Sequence, residues 1–148
     1  VVLRYLRMTS TRDLNRSEYR ALAELRYRIR RFLRFSEAAA RDAGLEPQHH
    51  QLLLAVKGMP DDRRASIGDL AERLQLKPNS TDELVRRVEG RGLVTTERGA
   101  EDRRQIIVSL TADGEEALRE LSVAHLEELR GEARALAEGL DRLIGRRA

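Results

Sequence analysis

Two pairs of arginines stand close to short polar or acidic side chains in the middle of the sequence. They are Arg86 and Arg87, which follow the polar run Asn79, Ser80 and Thr81, and Arg103 and Arg104, which follow Asp102. A guanidinium presents a planar fork of N–H donors that fits a phosphate group or the edge of a guanine. The chemistry that these residues offer is recognition of an anionic, hydrogen-bonding surface.

Residues for covalent or metal chemistry are sparse. The sequence contains no cysteine, which excludes disulfides, thiolate metal ligands and thiol-based redox sensing. It shows no glycine-rich phosphate loop, no nucleophile elbow and no His, Asp and Glu set with convincing metal-ligand spacing. The densest carboxylates, Glu115, Glu116 and Glu120, lie at a predicted helix start, where acids favour the helix dipole. We therefore predict that the chain is not an enzyme and holds no cofactor or metal.

The adjacent histidines His49 and His50 are the weakest of the candidate binding residues. They either line a pocket for a small ligand, or respond to pH, or simply form a partly buried helix start. His125 lies on an apolar helical stripe and fits a core or dimer-interface position.

The elements that must position the arginines follow from periodicity and capping signals. A long helix is predicted from Asn15, with Glu18 three residues on as in a capping box, to Ala43, where Gly44 ends it. A short, largely buried helix follows and ends at Gly58.

Two further short helices are predicted next. Ser66 and Asp69 form a capping-box-like pair at the start of the first, and Pro78 occupies the first position of the second, which runs to about Glu89. Its inward face is expected to carry Thr81, Leu84, Val85 and Val88. Two short helices joined by a tight turn, with a polar face on the second, are typical of a helix-turn-helix.

The segments 93–97 and 105–110 are β-prone, and a polar loop containing Gly99 joins them. They predict a β-hairpin with a charged tip directly after the helix-turn-helix, which is the position of a wing.

The C-terminal segment is predicted to be helical after a cap at Thr111. Its apolar stripe comprises Leu118, Leu121, His125, Leu129, Ala133, Leu136, Leu140 and Leu143. We expect Gly131 to break or kink this stretch into two helices. The predicted fold is mainly α with a small β-hairpin wing: N-terminal helices in 13–58, a winged helix-turn-helix in 61–110, and C-terminal dimerisation helices in 111–148.

A winged helix of about 50 residues can cover only part of the flanking apolar stripes. We therefore expect a homodimer formed through the terminal helices; the alternative is that these stripes close a monomeric helical bundle. A two-fold dimer would present two recognition helices to successive major grooves and would favour a pseudo-palindromic operator.

Charge and hydropathy limit the partners and the location. The formal net charge is +3, yet residues 61–110 hold 10 basic and 10 acidic residues, so DNA binding would depend on a few placed arginines. No apolar run reaches the roughly 20 residues of a membrane span, and residues 1–8 lack the core of a signal peptide. We expect a cytoplasmic protein, with Met8 as a candidate start of translation.

The strings LAERLQLKPNSTDELVRRVEGRGLV, from Leu70 to Val94, and EDRRQIIVSLTADG, from Glu101 to Gly114, resemble the MarR family of bacterial regulators. The resemblance implies a triangular homodimer, repression by occluding an operator, and often release by a small ligand bound between the dimerisation and DNA-binding parts. It also implies that Asp102 orients a wing arginine. Asp82 and Glu83 depart from the family pattern, which commonly has neutral or basic residues there.

We therefore predict a sequence-specific DNA-binding transcriptional regulator. It would be a dimeric repressor that binds double-stranded DNA and leaves it when a small-molecule effector binds. The predicted DNA contacts are Asn79, Ser80, Thr81, Arg86, Arg87, Asp102, Arg103 and Arg104. One alternative is a winged-helix dimeric interaction module without DNA binding, and another is a small-molecule-binding enzyme on the same scaffold.

Overall fold

The computed structural model describes residues 13–144, so Met8 and the last four residues lie outside the described part of the chain. The elements in chain order are α1 (Arg16–Asp42), α2 (Pro47–Lys57), α3 (Ile67–Leu74), α4 (Pro78–Gly90), β1 (Val94–Arg98), β2 (Ile106–Leu110) and α5 (Ala112–Ile144). This mainly helical chain with one antiparallel hairpin confirms the predicted fold class.

Local capping interactions set the helix ends. The N–H of Asn15 donates to Glu18 Oε2 (2.9 Å) and the N–H of Glu18 donates to Asn15 Oδ1 (3.0 Å), which is the reciprocal pair predicted from their spacing. Gly44 ends α1 in the left-handed region, at a φ of 75°. Ser66 caps α3 by accepting from the N–H of Asp69 at 3.1 Å, and Pro78 opens α4 as predicted.

The helix-turn-helix packs around one apolar core. Leu52 and Leu53 of α2, Leu70 of α3, and Leu84 and Val88 of α4 are almost fully buried. These residues recur at helical spacing, so each helix presents one apolar face to the same interior. Val94 and Val108 of the hairpin and Leu118 and Leu121 of α5 complete this core.

The hairpin lies directly after α4. β1 and β2 pair antiparallel, with Val94 opposite Leu110 and Arg98 opposite Ile106. On its other edge, β2 receives a single bridge from the residues before α3: the N–H of Val108 donates to the carbonyl of Ala65 at 2.9 Å. The wing is therefore tied to the start of the helix-turn-helix as well as to the end of α4.

The predicted break at Gly131 is wrong, because α5 runs without interruption from Ala112 to Ile144. Glycine costs a helix interior about 1 kcal/mol relative to alanine, but it keeps both backbone hydrogen-bonding groups. The residues around Gly131 are strong helix formers such as Leu, Glu, Arg and Ala, and their propensities offset one glycine.

The chain divides into two compact units. One is Leu33–Glu128, which contains the helix-turn-helix and the hairpin; the other combines the described residues 13–32 with residues 129–144. Within the second unit, Arg28 and Arg31 both pair with Glu132, at 2.9 Å and 3.3 Å. None of the helices described between residues 13 and 144 has the length and apolar composition needed to cross a bilayer.

Candidate nucleic-acid interface

The outward face of α4 is built by burying the opposite face. Leu84, Val85 and Val88 fill the core, so Asn79, Ser80, Arg86 and Arg87 are exposed on the other side of the helix. In addition, Asn79 and Ser80 lie in the first turn, where backbone N–H groups lack helical partners and the helix dipole attracts anions. The start of α4 is therefore suited to a phosphate or a base edge.

Thr81 does not share this exposure. Its side chain is completely buried, and both its hydroxyl (3.1 Å) and its N–H (3.0 Å) donate to the carbonyl of Lys77. The hydroxyl stabilises the first turn of α4 from inside the fold. This placement leaves no part of the Thr81 side chain at the surface for the DNA contact that was predicted for it.

Asp102 organises the tip of the wing. Its Oδ1 accepts a hydrogen bond from the backbone N–H of Arg104 at 3.0 Å and pairs with the Nε of Arg104 at 3.4 Å. The side chain of Arg104 is 95% exposed, so its outer N–H groups are free to reach a partner in solution. An acid two residues before an arginine thus holds the root of that side chain, in agreement with what the family resemblance implies.

Two further residues shape the wing loop. Arg98, at the end of β1, donates to the carbonyl of Arg103 at 3.1 Å. Gly99 is required because a Cβ at its position would come within 2.7 Å of the carbonyl oxygen of Asp102. These backbone constraints keep Arg103 and Arg104 at the exposed tip.

The wing tip and the start of α4 face a common open groove of about 330 Å³. Asn79 and Asp82 of α4, Ser66 before α3, and Arg104 and Gln105 of the wing line it. The structure therefore brings one member of each predicted set of contact residues, Asn79 and Arg104, to the same groove, although about 25 positions separate them in the sequence.

Three contacts that sequence reasoning missed hold these elements in place. Glu89, at the end of α4, accepts from both the N–H and the hydroxyl of Thr96 in β1, at 2.9 Å each. Arg91 donates to the carbonyl of Gly44, beyond the end of α1, at 3.0 Å. Both residues stand within the quoted family string, but no local pattern indicates their partners.

The third contact joins the start of α5 to the base of the wing. The hydroxyl of Thr111 donates to the carbonyl of Gly92 at 2.7 Å. The same hydroxyl accepts from the N–H of Gly114 at 3.0 Å, which is the cap predicted at Thr111. A Cβ at Gly114 would overlap the carbonyl of Leu93. The close approach of two backbone segments therefore explains why the quoted string EDRRQIIVSLTADG ends in a glycine.

The histidines lie inside the fold. His49 and His50 are 2% and 4% exposed, and the ring of His50 stacks on that of His125 with centroids 4.7 Å apart. Burial, followed by the neighbouring His125, lowers the pKa of His50 to about 4. Burial also lowers the pKa of His49, although Glu46 at 3.5 Å opposes this shift. The rings are packed as core residues, which agrees with the simpler of the sequence interpretations.

These elements define a winged helix-turn-helix, and comparison with known proteins shows which family it resembles. Residues 43–105 match the model of the MarR family. A segment of 68 residues is 32% identical to the organic hydroperoxide resistance transcriptional regulator of Bacillus subtilis (strain 168); it covers 46% of this chain and 44% of that protein. The match thus spans less than half of that relative's length.

Solved structures share the fold. AbsC, a MarR family transcriptional regulator from Streptomyces coelicolor, superposes with a TM-score of 0.72 at 24% identity, over 89% of this chain and 92% of AbsC. The M. tuberculosis transcriptional regulator MOSR, solved in complex with DNA, superposes with a TM-score of 0.56 at 24% identity, over 74% of this chain and 77% of MOSR. The matched segment is similar to the MarR family, and the fold is the one seen in MarR family structures.

Proposed function

We propose that the protein is a sequence-specific DNA-binding transcriptional regulator and not an enzyme. The observation that carries the proposal is the groove in which the first turn of α4 and Arg104 of the wing converge. In this arrangement α4 enters a major groove, where Asn79, Ser80, Arg86 and Arg87 meet bases and phosphates, and Arg103 and Arg104 reach the adjacent minor groove. Asp102 acts by orienting Arg104.

We further propose that the working form is a homodimer built by α1 and α5. α1 exposes Tyr19, Leu22, Ile29 and Leu33, and α5 exposes Val123, Leu126 and Leu140, each between 42% and 60% accessible. Leu22 and Ile29 are seven residues apart, and Leu126 and Leu140 are fourteen, so each set follows one helical face. Exposed apolar stripes of this kind favour burial against a second copy, and a two-fold dimer favours a pseudo-palindromic operator.

Repression, release by a small-molecule effector and a cytoplasmic location complete the proposal, and these three rest on the resemblance to the MarR family. A thiol-based response to peroxide is not part of it, because the sequence holds no cysteine on which an oxidant would act.

Footprinting of the full chain on the DNA flanking its own gene tests the proposal. A protected, pseudo-palindromic site whose two halves lie about one helical turn apart is the expected result. The near-neutral charge of residues 61–110 favours one alternative, a dimeric interaction module without DNA binding. Absence of any protected site, with a stable dimer in sedimentation, would support that module instead.

A further inference from the structure

The centre of the outward face of α4 carries a carboxylate. Asn79, Glu83 and Arg86 lie four and seven residues apart, so they share one helical face. That face lies opposite the buried face, which is formed by Thr81, Leu84, Val85 and Val88. Glu83 is exposed, and its position on the helix directs it to where the floor of a major groove would lie.

The two acids that follow Thr81 have different surroundings. Asp82 lies at the border of the exposed face, where its side chain is 29% exposed and pairs with Arg86 at 2.7 Å. The side chain of Glu83 makes no ion pair or hydrogen bond with any residue between 13 and 144. The charge of Asp82 is therefore compensated within the protein, whereas that of Glu83 is left for a partner.

The geometry of a helix in DNA decides which partner fits. An α-helix with its side chains is about 10–12 Å wide, and the major groove is about 12 Å wide. Residues at the borders of the exposed face therefore meet the two phosphate backbones, and residues at its centre meet the base edges. A carboxylate beside a phosphate is repelled, but one at the base edges accepts a hydrogen bond from the N4 amino group of cytosine.

Adenine is a poorer partner for the same carboxylate. Its N6 amino group stands beside the N7 acceptor, which repels a carboxylate oxygen placed next to it, whereas cytosine presents the amino group without an acceptor of its own in that groove.

We propose that Glu83 is a specificity-determining residue that reads cytosine in the major groove, and that Asp82 is a positioning residue that fixes Arg86 for a separate base contact. This inference rests on the DNA binding proposed above. If it holds, the two acids that depart from the family pattern give this protein part of its DNA sequence preference.

The test is selection of duplexes from a library with a random core by the full-length wild type, Glu83→Ala and Asp82→Asn. The wild type should enrich one C·G pair in each half-site. Glu83→Ala should lose the preference at that pair alone, and Asp82→Asn should keep it while losing preference at a different pair. Glu83 is exposed and Asp82→Asn is nearly isosteric, so both variants should fold.

An affinity measurement on the enriched duplex isolates the contact. Replacing the cytosine base by 2-pyrimidinone, which lacks the amino group, should weaken wild-type binding about tenfold, in the range of one base contact. The same replacement should change the affinity of Glu83→Ala less than twofold, because that variant has no carboxylate to lose a donor.

Two results would overturn the inference while leaving DNA binding intact. One is that Glu83→Ala enriches the wild-type sequence with the cytosine retained. The other is that Glu83→Ala and Asp82→Asn both tighten binding to all duplexes alike, which would mean that the acids act only through their charge. If the wild type enriches no sequence and binds no DNA, the proposed function falls together with the inference.

Discussion

Two glycines of α5 should respond in opposite directions to the same substitution. At Gly114, an added methyl group overlaps the carbonyl of Leu93, a backbone atom that cannot rotate away. At Gly131, a Cβ would have no atom within 4 Å. Gly131→Ala is therefore a matched control for Gly114→Ala, because both change the same residue type within one helix.

The magnitudes follow from the contacts at each site. Relieving the overlap at Gly114 costs about 1–3 kcal/mol. It also separates Thr111 from the carbonyls of Gly92 (2.7 Å) and Leu93 (3.1 Å), at about 1 kcal/mol for each hydrogen bond. The higher helix propensity of alanine offsets about 1 kcal/mol of this loss in stability. We expect Gly114→Ala to lower the free energy of unfolding by about 2–4 kcal/mol and Gly131→Ala to raise it by about 0.5–1 kcal/mol.

Urea unfolding followed by circular dichroism, at one fixed protomer concentration, measures both changes. The concentration is fixed because dimerisation couples to stability. In thermal unfolding, a change of 1 kcal/mol shifts the melting temperature of a chain of this size by about 2–4 °C, so Gly114→Ala should melt roughly 4–16 °C below the wild type. A Gly114→Ala variant as stable as the wild type would refute the close packing of α5 on the base of the wing.

Three further perturbations follow from the contacts described. The pKa of His50 falls from its ordinary value of about 6.5 to about 4 on folding. Between these values the unfolded chain binds more protons than the folded chain, so the free energy of unfolding should fall as the pH drops through this window. The loss should reach about 2 kcal/mol at pH 5 and be absent from the pH profile of His50→Phe. Parallel pH profiles for the wild type and this variant would contradict the prediction. Glu89→Ala removes the acceptor of both Thr96 hydrogen bonds. It should therefore lower the free energy of unfolding in urea by about 1–3 kcal/mol and weaken DNA binding. An unchanged urea midpoint would show that these hydrogen bonds are not needed for stability. Leu126→Glu should yield monomers at micromolar concentration in sedimentation, because it places a charge on the exposed stripe of α5, and a dimer as stable as the wild type would exclude that stripe from the interface.

The sequence allowed prediction of the elements whose determinants are local. The capping pair of Asn15 and Glu18, the proline at the start of α4 and the threonine cap of α5 each depend on residues no more than four positions apart. The two strands were predicted to within one residue at each end, because β-branched residues flank a polar loop with a glycine.

The remaining features depend on contacts between distant parts of the chain. His50 and His125 stack although 75 positions separate them, and Glu89 reaches into β1 instead of solvent. The break expected at Gly131 failed because a single glycine signal was weighed without the helix formers around it. Which of two neighbouring acids, Asp82 or Glu83, would be paired with Arg86 also depended on side-chain positions that spacing alone leaves open.

The salt dependence of DNA binding by Arg104→Ala tests the central claim most directly. For the wild type on a duplex from the promoter beside its own gene, the logarithm of the binding constant should fall linearly with the logarithm of salt concentration. Arg104→Ala should weaken binding and reduce the steepness of that line by about one for each protomer that loses a phosphate contact. Wild-type binding that does not depend on salt, or an Arg104→Ala line with unchanged affinity and slope, would contradict a DNA interface built on α4 and the wing.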